Sequence, residues 1–188
     1  MKKFVSLLGV SAAAFIATPA AAQVAVPTGA RVEALVGYDA IRIDLEDFGV
    51  DETVKDSGVL YGLGLGYDFA VGGVSLGADL EATDSTAKEG DEDTGSLSAA
   101  RDLYAGLRAT FPVSQSANVY LKGGYTNARF KAELDGESEG ENADGFRLGA
   151  GAQFTLSGKA YVGGEYRYSN YEADLSRHQF ALTVGTRF

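Results

Sequence analysis

No cysteine occurs in this chain of 188 residues. Disulfides, thiolate metal sites and cysteine nucleophiles are therefore excluded. Histidine occurs once and proline three times. With 25 glycines beside so few prolines, the chain has neither the proline-rich bias of disorder nor the strict triplet of collagen. Positive charge is scarce as well: 16 Lys and Arg stand against 26 Asp and Glu, a formal net charge of −10. So acidic a chain is not expected to bind nucleic acid, and no motif in it calls for a cofactor. After the first 17 residues there is no long apolar run that would hold the chain in a membrane as a helix.

What is present begins with Lys2 and Lys3, an apolar run from Phe4 to Ala17, then Pro19 and Ala20, Ala21 and Ala22 before Gln23. A basic start, a run of about 14 apolar residues too short to span a bilayer, and a small-residue cleavage site make residues 1–22 a secretory signal peptide. Cleavage after Ala22 leaves one exported domain of 166 residues, opening with a short linker over 23–30 that contains Pro27 and Gly29.

From Arg31 onward, apolar and polar residues alternate with a period of two, the mark of strands. The stretches are Arg31 to Tyr38, Val59 to Phe69, Val74 to Ala82, Asp102 to Phe111, Val119 to Thr126, Phe146 to Thr155, Ala160 to Ser169, and Phe180 to Phe188. In the clearest of them, Val59, Tyr61, Leu63, Leu65, Tyr67 and Phe69 face one way, and Leu60, Gly62, Gly64, Gly66 and Asp68 the other. None of the eight apolar faces contains a charge. The opposite faces carry Arg31, Arg108, Lys122, Arg147, Arg167 and Arg187, with Glu33, Asp39, Asp68, Asp79, Glu81, Asp102 and Glu165.

In a soluble sandwich or lipocalin-like barrel the apolar face points inward and the charged one meets water. In an outer-membrane barrel the faces are inverted. Three features favour inversion. Connections alternate between short (around Gly72 and Gly73, Pro112 to Ser116, Ser157 to Lys159) and long or charged (41–57, 84–100, 131–144, 170–176). Aromatic residues collect at the two ends of the strands: Tyr67, Phe69, Phe111, Phe154 and Phe188 at one end, and Tyr38, Tyr61, Tyr125, Phe146, Tyr168 and Phe180 at the other. Glycines lie mostly on the polar face, as a narrow interior requires. The expected fold is an all-β, eight-stranded antiparallel up-and-down transmembrane β-barrel over residues 31–188.

The export signal, the eight alternating strands and a last strand ending in Phe188 resemble the small outer-membrane barrels of the group that holds the OmpA transmembrane domain, OmpX and the opacity proteins. That resemblance implies a bacterial outer-membrane location, outer-membrane lipid as surroundings, and Phe188 as the signal read by the insertion machinery. The likeness carries no residue-level functional motif. Full-length OmpA differs in that nothing follows Phe188 here to serve as a peptidoglycan-binding domain, so no wall-anchoring role is implied.

Eight strands leave an interior just wide enough for side chains, so Glu33, Asp79, Glu81, Arg108, Lys122, Arg147, Glu165, Arg167 and Arg187 are expected to pair across it. Glu33 is assigned to Arg187, Asp79 or Glu81 to Arg108, and Glu165 to Arg147. A closed lumen argues for a role in envelope integrity or surface interaction and for a monomer; a small porin-like channel is the alternative. The long connections hold 19 acidic residues against Arg42, Lys55, Lys88 and Lys131. They are expected to be solvated and mobile, with weak binding of divalent cations or of host or abiotic surfaces as further readings. Stretches such as Glu89-Gly90-Asp91-Glu92-Asp93 lack the ligand spacing of an EF-hand loop, so no metal site is assigned. Arg101, Arg129 and Arg177 are expected at the outer rim, either on lipid phosphates or solvated. The one histidine, His178, falls on the lipid-facing side. Barrels that deacylate lipid A use a His-x-Ser pair, but the position two after His178 is Phe180, and Ser176 precedes the histidine instead of following it. No catalytic residue is assigned, and lipid A modification is the least favoured reading.

Overall fold

The computed structural model describes residues 24–44, 53–91, 95–134, 137–172 and 175–188. These form nine strands: β1 (Gly29–Asp44), β2 (Thr53–Val71), β3 (Val74–Ser85), β4 (Lys88–Asp91), β5 (Gly95–Pro112), β6 (Ala117–Leu134), β7 (Glu137–Ser157), β8 (Ala160–Tyr171) and β9 (Leu175–Arg187). Every pairing is antiparallel, and each long strand neighbours the next in sequence. The short β4 continues the line of β3 along β5, so the nine strands make eight staves. Pairing of β1 with β9 closes the cylinder, and no edge strand is left in the membrane zone.

The alternation explains how the two faces are disposed. Along β3 burial alternates residue by residue, yet the apolar residues are the exposed ones: Leu63 is 62% exposed, Leu107 71% and Leu182 66%. The buried set is mostly polar or charged. Such a molecule places its apolar faces outward because lipid, not water, surrounds it. The aromatic residues at both strand ends stand on this outer face, Tyr67 and Phe69 at one level and Tyr61, Tyr125 and Phe146 at the other.

Both described termini lie at the end with the tight turns, where the Phe188 amide donates to the Ala30 carbonyl at 2.9 Å. Two of those turns, Gly72-Gly73 and Gly158-Lys159, use glycine at φ 62° and 57°, a conformation other residues adopt only with strain. Short turns and termini mark the periplasmic end of such barrels.

At the other end the strands run further than the alternation alone predicts. The barrel wall continues to Asp44 in β1, starts at Thr53 in β2, at Gly95 in β5 and at Glu137 in β7, and reaches Leu134 in β6. Most of the described residues in the connections expected as loops over 41–57, 84–100 and 131–144 are thus strand. The linker expected over 23–30 is also shorter, because β1 already opens at Gly29. Beyond the lipid the outer face of a strand meets water and need not be apolar, so the period of two disappears from the sequence while the backbone ladder persists. The proposed leader over residues 1–22 lies outside the described residues.

Candidate functional site

Among the described residues, the interior is where charge is both concentrated and buried. Arg31, Arg108, Lys122, Arg147, Arg167 and Arg177 are buried with Glu33, Asp39, Asp68, Asp79, Glu81, Asp102 and Glu165. Arg187, 13% exposed at its side chain, makes the balance among described residues seven against seven. Charges in a narrow lumen carry a large desolvation cost unless paired and hydrogen-bonded, and here they stack in three linked layers.

In the periplasmic layer Arg31 binds Asp68 at 3.0 Å, Glu33 at 3.3 Å, and Asp79. Arg108 donates to Asp79 at 2.8 Å and to both Glu33 oxygens at 3.2 Å. Gln153 and Tyr161 also donate to Glu33, at 3.0 and 2.9 Å. Arg187 reaches Asp68 at 2.5 Å and Gln153 at 3.0 Å. In the middle layer Lys122 bridges Glu81 at 2.5 Å and Glu165 at 2.7 Å, and Arg167 pairs with the same two carboxylates at 3.1 and 2.9 Å. In the outer layer Asp102 receives Arg147, Arg177 at 3.2 Å, Tyr171 at 2.9 Å and Thr126 at 2.7 Å, while Asp39 receives Arg177 and, at 3.1 Å, Gln179.

The layers are joined. The Arg108 guanidinium lies 4.2 Å from the centre of the Tyr120 ring, and the Tyr120 hydroxyl donates to Glu165 at 2.7 Å. Arg147 approaches Glu81 at 3.8 Å from above. Glycines make room for the rings: Tyr120 pairs with Gly151 and Tyr161 with Gly185 across neighbouring strands, and a Cβ at either glycine would stand 2.5 Å from the tyrosine Cζ.

Above the charged stack sits an apolar layer. Ile41, Ala87, Ala128, Tyr171 and Leu175 are buried together, with Ala143 packed against them. The alternation did not reveal this layer, because Ile41, Ala87, Ala143 and Leu175 lie in stretches read as loops.

The expected inward residues are all inside, but several partners differ. Glu33 is bound by Arg31 and Arg108, not by Arg187, which goes to Asp68. Arg147 goes to Asp102, and Glu165 is left to Lys122 and Arg167. Of the two carboxylates offered to Arg108, Asp79 is the one it takes. In each case the choice is one of depth: the staves are staggered, so residues equally far from a turn do not share a level. Arg177, expected at the lipid rim, is buried between Asp39 and Asp102. It has the same odd parity as Gln179, Thr183 and Arg187 in β9, which is the signal that places it inside. Arg101 and Arg129 are exposed on the outer wall.

His178 also lies on the outer wall. Its Nδ1 is 2.7 Å from the Tyr166 hydroxyl, and its ring is 5.0 Å from that of Tyr168, within the outer aromatic belt. Among the described residues no group of three or more potential metal ligands gathers.

Known structures share this architecture. Neisserial surface protein A superposes with a TM-score of 0.63 at 14% identity, over 86% of this chain and 98% of that one. The attachment invasion locus protein Ail of Yersinia pestis superposes at 0.57 with 20% identity, over 86% of this chain and 100% of Ail. Ail in complex with the heparin analogue sucrose octasulfate gives 0.57 at 18% identity, over 85% and 99%. At these identities the likeness is one of fold. No curated protein matches the sequence. The profile of the outer membrane protein beta-barrel domain matches residues 8–188. With its closed barrel, outward apolar faces and paired interior, the chain belongs to the outer-membrane β-barrel family and resides in the bacterial outer membrane.

Proposed function

We propose that this protein is a closed, non-conducting barrel that serves envelope integrity or surface interaction through its extracellular end, and that it is not an enzyme. The observation that carries the reading is the filled lumen: among the described residues, seven cations and seven anions in mutual contact, capped by the layer of Ile41, Ala87, Ala128, Tyr171 and Leu175. An eight-stranded interior has no room for both this packing and a solute path.

The extracellular stretches hold 19 acidic residues against four basic ones. Ail was solved with a heparin analogue; the present chain would repel such a polyanion, so its partners would be cationic, or anionic surfaces bridged by divalent ions. Residues 1–22 would direct export, and Phe188, exposed at the closing seam, would be read during insertion.

Reconstitution in planar bilayers tests the closed lumen. Wild type is expected to conduct poorly; steady channels that pass sugars would replace this reading with the porin one. Shortening 84–100 and 131–144 to tight turns should leave a folded barrel that no longer binds cationic surfaces or calcium. Full binding by the trimmed barrel would overturn the surface-interaction reading.

A further inference from the structure

Followed partner by partner around the wall, the register that leaves β1 at Arg31 passes Asp79, Arg147 and Arg177 and returns to β1 at Ile41, nearer the extracellular end. The strands are therefore tilted, and the sense of the tilt is fixed. One stave on and two residues outward is a step of about 4.8 Å across the strands and about 6.7 Å along them. Such a step points about 36° away from the strand direction, which is close to the tilt of these barrels. That diagonal runs along the membrane normal.

Three such diagonals stand side by side on the outer wall of β3, β5, β6 and β7. Ala78, Ala105 and Asn127 form the middle one; Leu80, Leu103 and Arg129 rise on one side of it, and Leu107, Tyr125 and Asp144 on the other. All of these residues are exposed except Asn127, which is half-buried. The two alanines make the middle diagonal a channel between taller walls. A groove of about 760 Å³ lies over Ala105, beside Leu80, Leu103 and Tyr125, and one of about 510 Å³ over Ala78, beside Leu107. At the head of the channel Asp144 accepts from the Tyr125 hydroxyl at 2.5 Å and from Asn127 Nδ2 at 2.6 Å, which fixes its carboxylate on one side. Arg129 stands on the other.

Two copies inserted in one membrane point the same way, so a twofold that relates them must lie along the membrane normal. Set on the middle diagonal, this axis exchanges the outer two level by level. Leu80 and Leu107, Leu103 and Tyr125, and Arg129 and Asp144 are each separated by the opposite step, one stave on and two residues back, which lies near the membrane plane.

We propose that this face binds a second copy of the chain. Ala78 and Ala105 meet their own counterparts across the twofold, Leu80 and Leu103 pack on Leu107 and Tyr125 of the second copy, and Arg129 pairs with its Asp144. Small residues let walls approach closely in lipid, where association rests on such packing and on polar contacts. An acyl chain would fill the channel whatever charges flank it; opposite charges at one depth on its two sides are what a twofold partner requires. The pair replaces the monomer expected from the sequence and leaves the closed lumen as described.

Crosslinking in liposomes tests the face, because the chain has no cysteine of its own. The refolded mature protein carrying Ala105→Cys should form a disulfide-linked dimer on oxidation; carrying Leu182→Cys, exposed on the opposite wall in β9, it should not. Energy transfer between copies labelled at Leu182→Cys reads the affinity as lipid is added. Arg129→Asp and Asp144→Arg should each weaken the pair by roughly tenfold or more, and the two together should restore it. Ala105→Phe, which fills the channel without altering charge, should abolish it. Heat-shifted migration on gels confirms that each variant is folded. Equal crosslinking at the two cysteines would mean random collision and overturn the proposal. A wild type that is monomeric at every lipid ratio would leave the channel to lipid and overturn it too, as would full affinity in Ala105→Phe. Failure of the double charge variant to recover would overturn the contact between Arg129 and Asp144.

Discussion

The two faces of the same eight staves solve opposite problems. On the outer face Leu63, Leu65 and Leu80 need only be apolar, since lipid adapts to their shape, and neighbours there are interchangeable. On the inner face Arg108 must meet Glu33 and Asp79 within hydrogen-bond reach, and both of those carboxylates are shared with Arg31. A face turned to a fluid tolerates variation in shape but not in polarity. A face turned to a packed charge lattice tolerates neither.

The sharpest break of this contrast is Arg108→Met. It keeps most of the volume but leaves Arg31 as the one cation shared by Glu33 and Asp79 among the described residues, and should cost about 3–5 kcal/mol of folding stability, read as urea unfolding in micelles. Adding Asp79→Asn should recover part of that loss, since it removes the surplus negative charge; no recovery would mean that the side chains pack independently and not as a lattice.

On the other face Leu63→Arg places a charge at mid-depth against lipid and should cost about 2–4 kcal/mol. A mature protein that folds in buffer without detergent and accepts this substitution would contradict the membrane orientation of the faces.

The smallest effect separates two inward glycines. At Gly151 an added Cβ would meet the Tyr120 ring at 2.5 Å, whereas at Gly64 the nearest atom, Oε2 of Glu33, would be 3.5 Å away. Gly151→Ala should therefore cost about 1–3 kcal/mol by overpacking, and Gly64→Ser well under about 1 kcal/mol. The same unfolding series measures both; equal losses would show that backbone freedom, and not the tyrosine, accounts for glycine at 151.

How far this was legible depends on the solvent around each segment. Within the lipid, polarity must alternate strictly, so Val59 to Phe69 announces its strand and both of its faces. Above the lipid that requirement lapses, and the strand parts of β5, β6 and β7 there look like acidic loops. Arg177 shows the intermediate case. Its parity with Gln179 and Arg187 points inward, but its place beside a charged connection points to the rim, and only the burial of Asp39 and Asp102 beside it decides.

From the sequence alone came the stave count, the direction of each face and the identity of most inward charges, because a period of two in a membrane leaves a residue only one of two sides to occupy. Which inward charge meets which was decided by the tertiary structure. The stagger between staves and the side-chain reach of arginine across the lumen fix the partners, and neither is a property of one strand read by itself.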